Sequence, residues 1–239
     1  RCSFFFLKPK IKTKQSGPYD WGASGGPLNG RQAVFEALLR REKRDAAAGS
    51  RLVIERRADG RTSTGFTWHR ARQQQQQAKD DDDCLIGLRG TTFVEVNDDG
   101  RICYVREVAE PIVKPGSATA DLLKAVAKAP ETPPGDLPPA RVPTSASDLV
   151  AYLWLEVQGS AGFRGEAMRY FADDVVYEDM NFEKPFVGKK SVAAFLEEFD
   201  IPGLTFVPGR ISDGDEACCF TWEVDLGVEG ASRVKGISF

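Results

Sequence analysis

The sequence has few of the groups on which most metal and nucleophile chemistry depends. It contains a single histidine, His69, which excludes metal sites built from several histidines and argues against a histidine-based triad. It also contains no apolar run near the ~20 residues that are needed to span a bilayer. We therefore expect neither a metal centre nor a transmembrane segment.

A cysteine pattern typical of disulfide-rich proteins and a strong charge of one sign are also missing. The cysteines are odd in number and scattered along the chain: Cys2, Cys84, Cys103, Cys218 and Cys219. Such a set implies no disulfide framework, and we expect a reducing compartment. With 32 basic and 35 acidic residues the formal net charge is −3, whereas general nucleic-acid binders carry a clear basic excess.

The length and composition are those of a folded protein. The chain has 239 residues, of which 41% are hydrophobic and 28% are charged. Domains cluster near about 100–150 residues, so the chain has room for one large domain or two small ones, each with its own core.

The most informative feature is an internal repeat, because a repeat decides how a chain divides into structural units. Both copies contain an Asp-Gly pair, at 59–60 and 213–214, and the tripeptide Phe-Thr-Trp, at 66–68 and 220–222. Three blocks align in the same order: Pro18–Leu39 with Val176–Glu197, Leu52–Trp68 with Phe206–Trp222, and Leu88–Phe93 with Val234–Phe239. We interpret this pattern as a tandem duplication.

The repeat divides the chain into four parts. These are a basic and aromatic arm (1–17), a first module (18–128), a proline-rich linker (129–146) and a second module (147–239). The linker follows from six prolines within residues 130–143, a composition typical of stiff, extended chain. We expect both modules to be incomplete in this chain: the first largely lacks leading helices, and the second lacks a closing hairpin like Val94–Val108.

Hydrophobic periodicity predicts helices first and strands afterwards in each module. Apolar residues recur at helical spacing over Asp148–Gln158, Gly165–Ala172 and Ser191–Phe199. Strands are predicted at 204–208, 217–225 and 233–239, and a hairpin turn at Asn97–Gly100. This order predicts an α+β fold in which a curved antiparallel sheet wraps around helices.

Segment Phe171–Phe199, with the later DGDEACCFTWEV and KGISF stretches, resembles the SnoaL-like branch of the nuclear-transport-factor-2-like superfamily, including its ketosteroid isomerase members. The hairpin sequence GTTFVEVNDDGRICYVREVAEP resembles the last strands of the same fold. The resemblance implies two cone-shaped modules. It leaves function open, since this fold hosts cyclases, isomerases, dehydratase subunits and non-catalytic binders. The tandem arrangement is similar to that of uncharacterised plastid-directed proteins of plants and algae.

Isomerase chemistry of this type needs a carboxylate base and oxyanion donors, one of them a neutral carboxylic acid. The resemblance places the base at Asp179 but puts Lys235 at the neutral-acid position, which lysine cannot serve. A tyrosine is expected on the first helix, where the matched region offers Trp154 or Leu155. Because one role of three survives, we expect no isomerase activity, and we predict neither a cofactor nor a metal.

Two sets of residues remain as candidates for binding. The cavity candidates are Tyr177, Asp179, Trp222, Lys235 and Trp68, with an internal ion pair predicted between Asp179 and Lys235. The arm has five basic residues, no acidic ones and an apolar cluster, which suits either a segment that binds a partner or an anionic membrane surface, or a disordered tail. Its docking candidates are Phe4, Phe5, Phe6, Lys8, Lys10, Lys12 and Lys14.

These observations favour a non-catalytic interaction or scaffold protein. By the plastid resemblance, we expect a peripheral accessory subunit of a photosynthetic membrane complex, of the photosystem I type. It would lie in the chloroplast stroma or on the thylakoid surface. The alternative is a SnoaL-like isomerase, cyclase or ligand binder that uses a cavity in the second module.

Overall fold

The computed structural model describes residues 19–21, 28–72, 86–127, 133–225 and 234–239. Within these ranges the α-helices are α1 (Arg31–Ala47), α2 (Ala118–Val126), α3 (Ala146–Ala151), α4 (Phe163–Met168) and α5 (Lys189–Glu198), and α3 continues as a π-helical segment, Tyr152–Val157. No helix in these ranges is both long enough and apolar enough to cross a bilayer.

The strands form two sheets and a short ribbon. They are β1 (Tyr19–Trp21), β2 (Ser50–Asp59), β3 (Ser63–Arg72), β4 (Ile86–Val96), β5 (Ile102–Ala109), β6 (Val176–Tyr177), β7 (Phe186–Val187), β8 (Thr205–Ile211), β9 (Phe220–Asp225) and β10 (Val234–Ser238). The first sheet has the order β1-β5-β4-β3-β2, the second has the order β10-β9-β8, and β6 pairs with β7.

Helices combined with antiparallel sheets confirm the predicted α+β class. The expectation of wholly antiparallel sheets is wrong at one edge, where β1 pairs with β5 in parallel. Two strands that pair in parallel need a long connection along the chain. Here the connection from β1 to β5 contains α1, β2, β3 and β4.

The predicted hairpin turn at Asn97–Gly100 is present between β4 and β5. The Asn97 side-chain oxygen accepts hydrogen bonds from the backbone N–H groups of Asp99 (3.2 Å) and Arg101 (2.9 Å). Gly100 has a φ of 71°, a value that glycine adopts without steric cost. Asparagine and glycine therefore both suit the geometry of this turn.

The predicted helices are found with shifted ends. The first begins at Ala146, because the Ser145 hydroxyl accepts a hydrogen bond from the N–H of Asp148 (3.1 Å) and caps it. Glycines with positive φ fix the starts of the other two: Gly162 (φ 90°) precedes α4, and Gly188 (φ 82°) precedes α5. The predicted strands are also found, although β8 extends to Ile211 and β9 begins at Phe220.

The two sheets share one tryptophan arrangement. Trp68 on β3 is paired in register with Gly90 on β4, and Trp222 on β9 with Gly236 on β10. In each case a Cβ on the glycine would overlap the indole ring, so the ring lies directly against the glycine backbone. Each indole N–H donates to a hydroxyl two residues beyond that glycine, Thr92 at 2.9 Å or Ser238 at 3.0 Å.

The edge strands are irregular at corresponding points. The pairing of β2 with β3 shifts register between Ile54 and Arg56, and that of β8 with β9 shifts between Pro208 and Ile211. Ile54 is paired with Trp68 and Pro208 with Trp222, so both irregularities begin opposite a tryptophan. A bulge at this position bends the edge strand of each sheet.

The two sheets pack against each other through one face. A buried cluster joins Ala58, Phe93 and Tyr104 of the first sheet to Cys219, the residue directly before β9. Polar contacts surround it: Ser63 Oγ donates to the Asp213 carboxylate (2.9 Å), and Arg106 donates to the Trp222 carbonyl (3.3 Å). Apolar burial with directed polar contacts fixes the relative position of the sheets.

Several predictions fall outside or between these elements. In the predicted linker, residues 133–145 form no helix or strand apart from an isolated bridge between Gly135 and Ser160. The arm, with Phe4, Phe5, Phe6, Lys8, Lys10, Lys12 and Lys14, lies outside the described residues. The four proposed chain divisions remain predictions.

Candidate functional site

A buried polar network lies between α1 and the first sheet. The guanidinium of Arg41 donates to both carboxylate oxygens of Glu107 (2.7 and 2.8 Å) and lies 5.2 Å from the centre of the Trp68 ring. The Thr92 hydroxyl accepts from the Trp68 indole and donates to Glu107 (3.1 Å). These four side chains therefore form one continuous network that connects α1 with β3, β4 and β5.

The network extends towards solvent along α1. Asp45, one turn after Arg41, is paired with Arg70 on β3 and lies 3.9 Å from Arg41 Nε. An open cleft of about 370 Å³ begins here, lined by Leu38, Arg41, Glu42, Asp45, Ala46, Ser50 and Leu52. Two of its charged residues, Arg41 and Asp45, are engaged in ion pairs, and Leu38, Ala46 and Leu52 add an apolar part to its lining.

Exposed apolar side chains lie on both elements that border this cleft. On α1, Phe35 is 57% exposed and Leu38 is 45% exposed, and on β2, Leu52 is 38% and Ile54 is 48% exposed. Ile54 and Leu52 are paired in register with Trp68 and Arg70, so all four lie on the sheet face that α1 covers. We call the surface formed by Phe35, Leu38, Leu52 and Ile54 the apolar groove.

Sequence reasoning missed Arg41 and Glu107. The signal for Arg41 was present, because it continues the apolar positions Val34, Ala37 and Leu38 at helical spacing. A charge on the buried face of a helix requires a buried partner. Nothing in the sequence identified Glu107 as that partner, since the two lie 66 positions apart.

The predicted cavity residues lie in three places. Tyr177 is on β6 and contacts Phe186 and Phe195, with ring centres 6.5 and 5.3 Å away. Trp222 on β9 contacts Phe206 and donates to Ser238. Trp68 is buried in the first sheet. These aromatic residues therefore contribute to separate packing clusters.

The candidate base is engaged in a local turn. Asp179 Oδ1 accepts from the backbone N–H of Asn181 (2.8 Å) and from its side-chain amide (2.9 Å). Lys235 is exposed on β10, paired in register with Glu223. Burial, and secondarily the charge of Asp179, raise the pKa of Tyr177 to about 12. The ion pair between Asp179 and Lys235 remains a prediction.

A buried carboxylate, Glu166 on α4, was also missed. The hydroxyls of Tyr152 and Tyr170 lie 3.1 Å from its Oε1, and Arg169 donates to its Oε2 at 2.9 Å. Burial alone would raise the pKa of Glu166, but these hydrogen bonds outweigh it and lower the pKa below its ordinary value. Burial and the bond to Glu166 raise the pKa of Tyr152 to about 12.

The pKa shifts of Glu166 and Tyr152 indicate that this cluster has a structural role. A general base works best when its pKa is near the operating pH, and a lowered carboxylate pKa moves it away from that condition. A hydroxyl with a pKa of about 12 is likewise held in its neutral form near neutral pH. Among the described residues, no group of three or more histidine, cysteine or acidic side chains is placed to hold a metal.

Comparison with known proteins gives one family match. Residues 156–239 match the model of the SnoaL-like domain. No curated protein is similar to the chain. Among solved structures, a candidate isomerase of the SnoaL-like family from Agrobacterium tumefaciens matches with 19% identity and a TM-score of 0.28, over 41% of this chain and 74% of that one. The carboxy-terminal part of the chain is therefore similar to the SnoaL-like domain, which supports the nuclear-transport-factor-2-like superfamily for that part.

Proposed function

We propose that the protein is a non-catalytic interaction protein that presents the apolar groove to a partner. One observation carries this proposal: the groove is open, whereas the polar groups beneath it bind one another. Arg41, Glu107, Thr92 and Trp68 are linked internally. An exposed apolar surface of this kind marks a binding surface more often than a reaction centre.

A tandem pair of SnoaL-like modules is the second part of the proposal. It is supported by the matching Trp68–Gly90 and Trp222–Gly236 registers and by the matching hydroxyl acceptors. It is also supported by the contact of the two sheets through corresponding strands. Two modules fixed to each other make a rigid body suited to hold a partner in a defined orientation.

The alternative function is a small-molecule isomerase, cyclase or ligand binder of the SnoaL-like type. The similarity of residues 156–239 to the SnoaL-like domain favours it. Against it stand the engagement of Asp179 by Asn181 and the lowered pKa of Glu166. Neither carboxylate has the environment of a general base.

The cellular setting belongs to the proposal as well. We assign the protein to the chloroplast, in the stroma or on the thylakoid surface, as a peripheral accessory subunit of a photosynthetic complex of the photosystem I type. The support is the resemblance of its sequence arrangement to plastid-directed tandem proteins.

Native electrophoresis of gently solubilised membranes from the source organism, with antibody detection, tests this function. A salt-washed soluble fraction serves as the comparison. We expect the protein to migrate with a complex of several hundred kilodaltons after the wash. Migration near 26 kDa in the soluble fraction would remove the interaction role and favour a search for a ligand near Asp179 by native mass spectrometry.

A further inference from the structure

A short segment after the first sheet is bound to a turn of the predicted second module. It consists of residues 110–116, which directly follow β5, and we call it the latch. The ammonium group of Lys114 donates a hydrogen bond to the backbone carbonyl of Met180 (2.7 Å). The backbone N–H of Gly116 donates to the carbonyl of Asn181 (2.9 Å). The latch therefore binds two successive carbonyl groups of this turn.

Arg89 on β4 adds an ionic contact to the same turn. Its guanidinium lies 3.5 Å from Glu178, at the start of the turn, and 3.6 Å from Glu55 on β2. Burial alone would lower the pKa of Arg89, but the charges of these two carboxylates and of Glu110 in the latch outweigh it and raise the pKa. One cation thus balances carboxylates from the first sheet, the latch and the turn.

The turn and the latch lie beside a cluster of aromatic rings. A Cβ atom on Gly116 would lie 4.0 Å from the ring of Phe182, so the latch backbone runs next to that ring. Phe182 in turn lies 5.1 Å from Phe186 and 5.4 Å from Phe195, measured between ring centres. Phe195 is buried, whereas the other rings of the cluster are half-buried: Tyr177, Phe182, Phe186 and Phe199. The latch therefore borders an aromatic surface that the fold does not fully enclose.

The contacts that hold the latch are polar and accessible to water. Its two large apolar residues, Ile112 and Val113, are 94% and 79% exposed and bury little surface. The side chains of Arg89 and Glu178 are 30% and 49% exposed, and an ion pair of this kind contributes little to stability. Segments with few buried apolar contacts open locally more often than the core does.

We propose that the latch is a gate, which closes over the aromatic cluster and holds the Asp179 turn, and whose opening exposes the cluster and frees the turn. Arg89 and Lys114 are its positioning residues, because their cations join the first sheet and the latch to the turn. The contact is autoinhibitory for any binding at this cluster. The inference goes beyond the interaction role of the apolar groove and does not depend on it, since the groove lies on α1 and β2.

Hydrogen exchange of single backbone amides, read by NMR on the full chain, tests the gate. The double variant Arg89→Met, Lys114→Met removes both cations and leaves the three carboxylates without a shared partner. We expect the amides of Gly116, Asn181 and Phe182 to exchange roughly tenfold faster or more, while the amides of β9 keep their rates. The dye anilinonaphthalene sulfonate, which fluoresces on apolar surface, should give a stronger signal with this variant than with the unmodified chain.

Two matched variants separate the gate from general effects of charge. Arg89→Lys with Lys114→Arg keeps both cations, and its amides should exchange within about twofold of the unmodified chain. Arg101→Met with Lys124→Met removes one arginine and one lysine that are exposed and have no ion pair among the described residues, and it should change neither exchange nor dye signal. Urea denaturation confirms that each variant is folded, and Lys114→Met alone replaces the first double variant if that one unfolds.

The inference is overturned if the three amides exchange at unchanged rates after both cations are removed. It is also overturned if β9 exchanges faster to the same extent, because the variant would then destabilise the whole fold and not open a gate. Equally fast exchange in the charge-conserving variant would show that the cations do not hold the latch. Faster exchange without a gain in dye signal would show that the latch does not cover the aromatic cluster.

Discussion

Gly65 and Cys219 meet where the two sheets pack, and they occupy matching positions in the aligned segments Leu52–Trp68 and Phe206–Trp222. The absence of a side chain at Gly65 makes room for Cβ and Sγ of Cys219, since a Cβ on Gly65 would overlap both atoms. Contact between a position and its own counterpart is what a twofold axis produces in a homodimer. In this chain, Gly65 and Cys219 are such a pair of aligned positions, and they are in direct contact.

The variant Gly65→Ala should lower the free energy of unfolding by about 1–3 kcal/mol, because the added methyl group overfills this contact. In a Cys219→Gly background the same change should cost much less, since the overlapping atoms are gone. Urea denaturation of the four forms measures the coupling. Gly165→Ala on α4, where a Cβ meets no atom within 4 Å, is the control and should not destabilise the protein. Equal costs of Gly65→Ala in both backgrounds would contradict the proposed packing.

The pair of Arg41 and Glu107 should contribute strongly to stability. Arg41→Met leaves the Glu107 carboxylate buried without its cation, and we expect a loss of about 3 kcal/mol in chemical denaturation. The double variant Arg41→Met, Glu107→Leu should recover part of that loss. Arg40→Met is the matched control: Arg40 lies 3.9 Å from Glu36 on the exposed side of α1, so the change should stay within about 0.5 kcal/mol. A loss in the control as large as in Arg41→Met would show that the buried pair has no special role.

Asp213 should make stability depend on acid pH. Burial alone would raise its pKa, but hydrogen bonds from Ser63 and from the backbone N–H of Thr62 outweigh it and lower the pKa. Its contribution is therefore present above the unfolded value of about 3.9 and is lost as the pH falls through the lower folded value. Urea midpoints between pH 6 and pH 2 should fall less steeply for Asp213→Asn than for the unmodified chain. Parallel curves for the two forms would exclude this role for Asp213.

Asp179 should act through its turn and not as a base. Asparagine keeps an oxygen that can accept from Asn181, so Asp179→Asn should leave stability nearly unchanged, whereas Asp179→Ala should lose about 1 kcal/mol. Thermal denaturation compares the two variants. If a small-molecule activity is found and Asp179→Asn abolishes it in a fully folded protein, the catalytic alternative is correct.

How far the sequence predicts the structure depends on whether the signal is local. The turn at Asn97–Gly100 and the helical faces were predictable, because they follow from residue types and spacing along a few turns of chain. The aligned blocks predicted that Trp68 and Trp222 occupy similar strand positions, and each is paired in register with a glycine. Which glycine and which hydroxyl each tryptophan contacts depends on the register of the paired strands, and the sequence alone did not predict that register.

The remainder depends on tertiary contacts that leave no local trace. Glu166 is an ordinary acidic residue of a short helix in the sequence, and only the fold brings Tyr152 and Tyr170 to it. Similarly, the close contact of Gly65 with Cys219 arises from the packing of two sheets. The apolar groove was not predicted, because exposure on α1 and β2 depends on what the fold leaves uncovered.

The most direct test of the account compares variants in the native electrophoresis of solubilised membranes. The source organism would carry the unmodified chain, Leu52→Asp with Ile54→Asp, or Asp179→Asn in place of its own copy. If the apolar groove binds the partner, the unmodified chain and Asp179→Asn will migrate with a large complex, while the groove variant will move to the free fraction. A groove variant that stays in the complex, or an unmodified chain that migrates alone near 26 kDa, would contradict it.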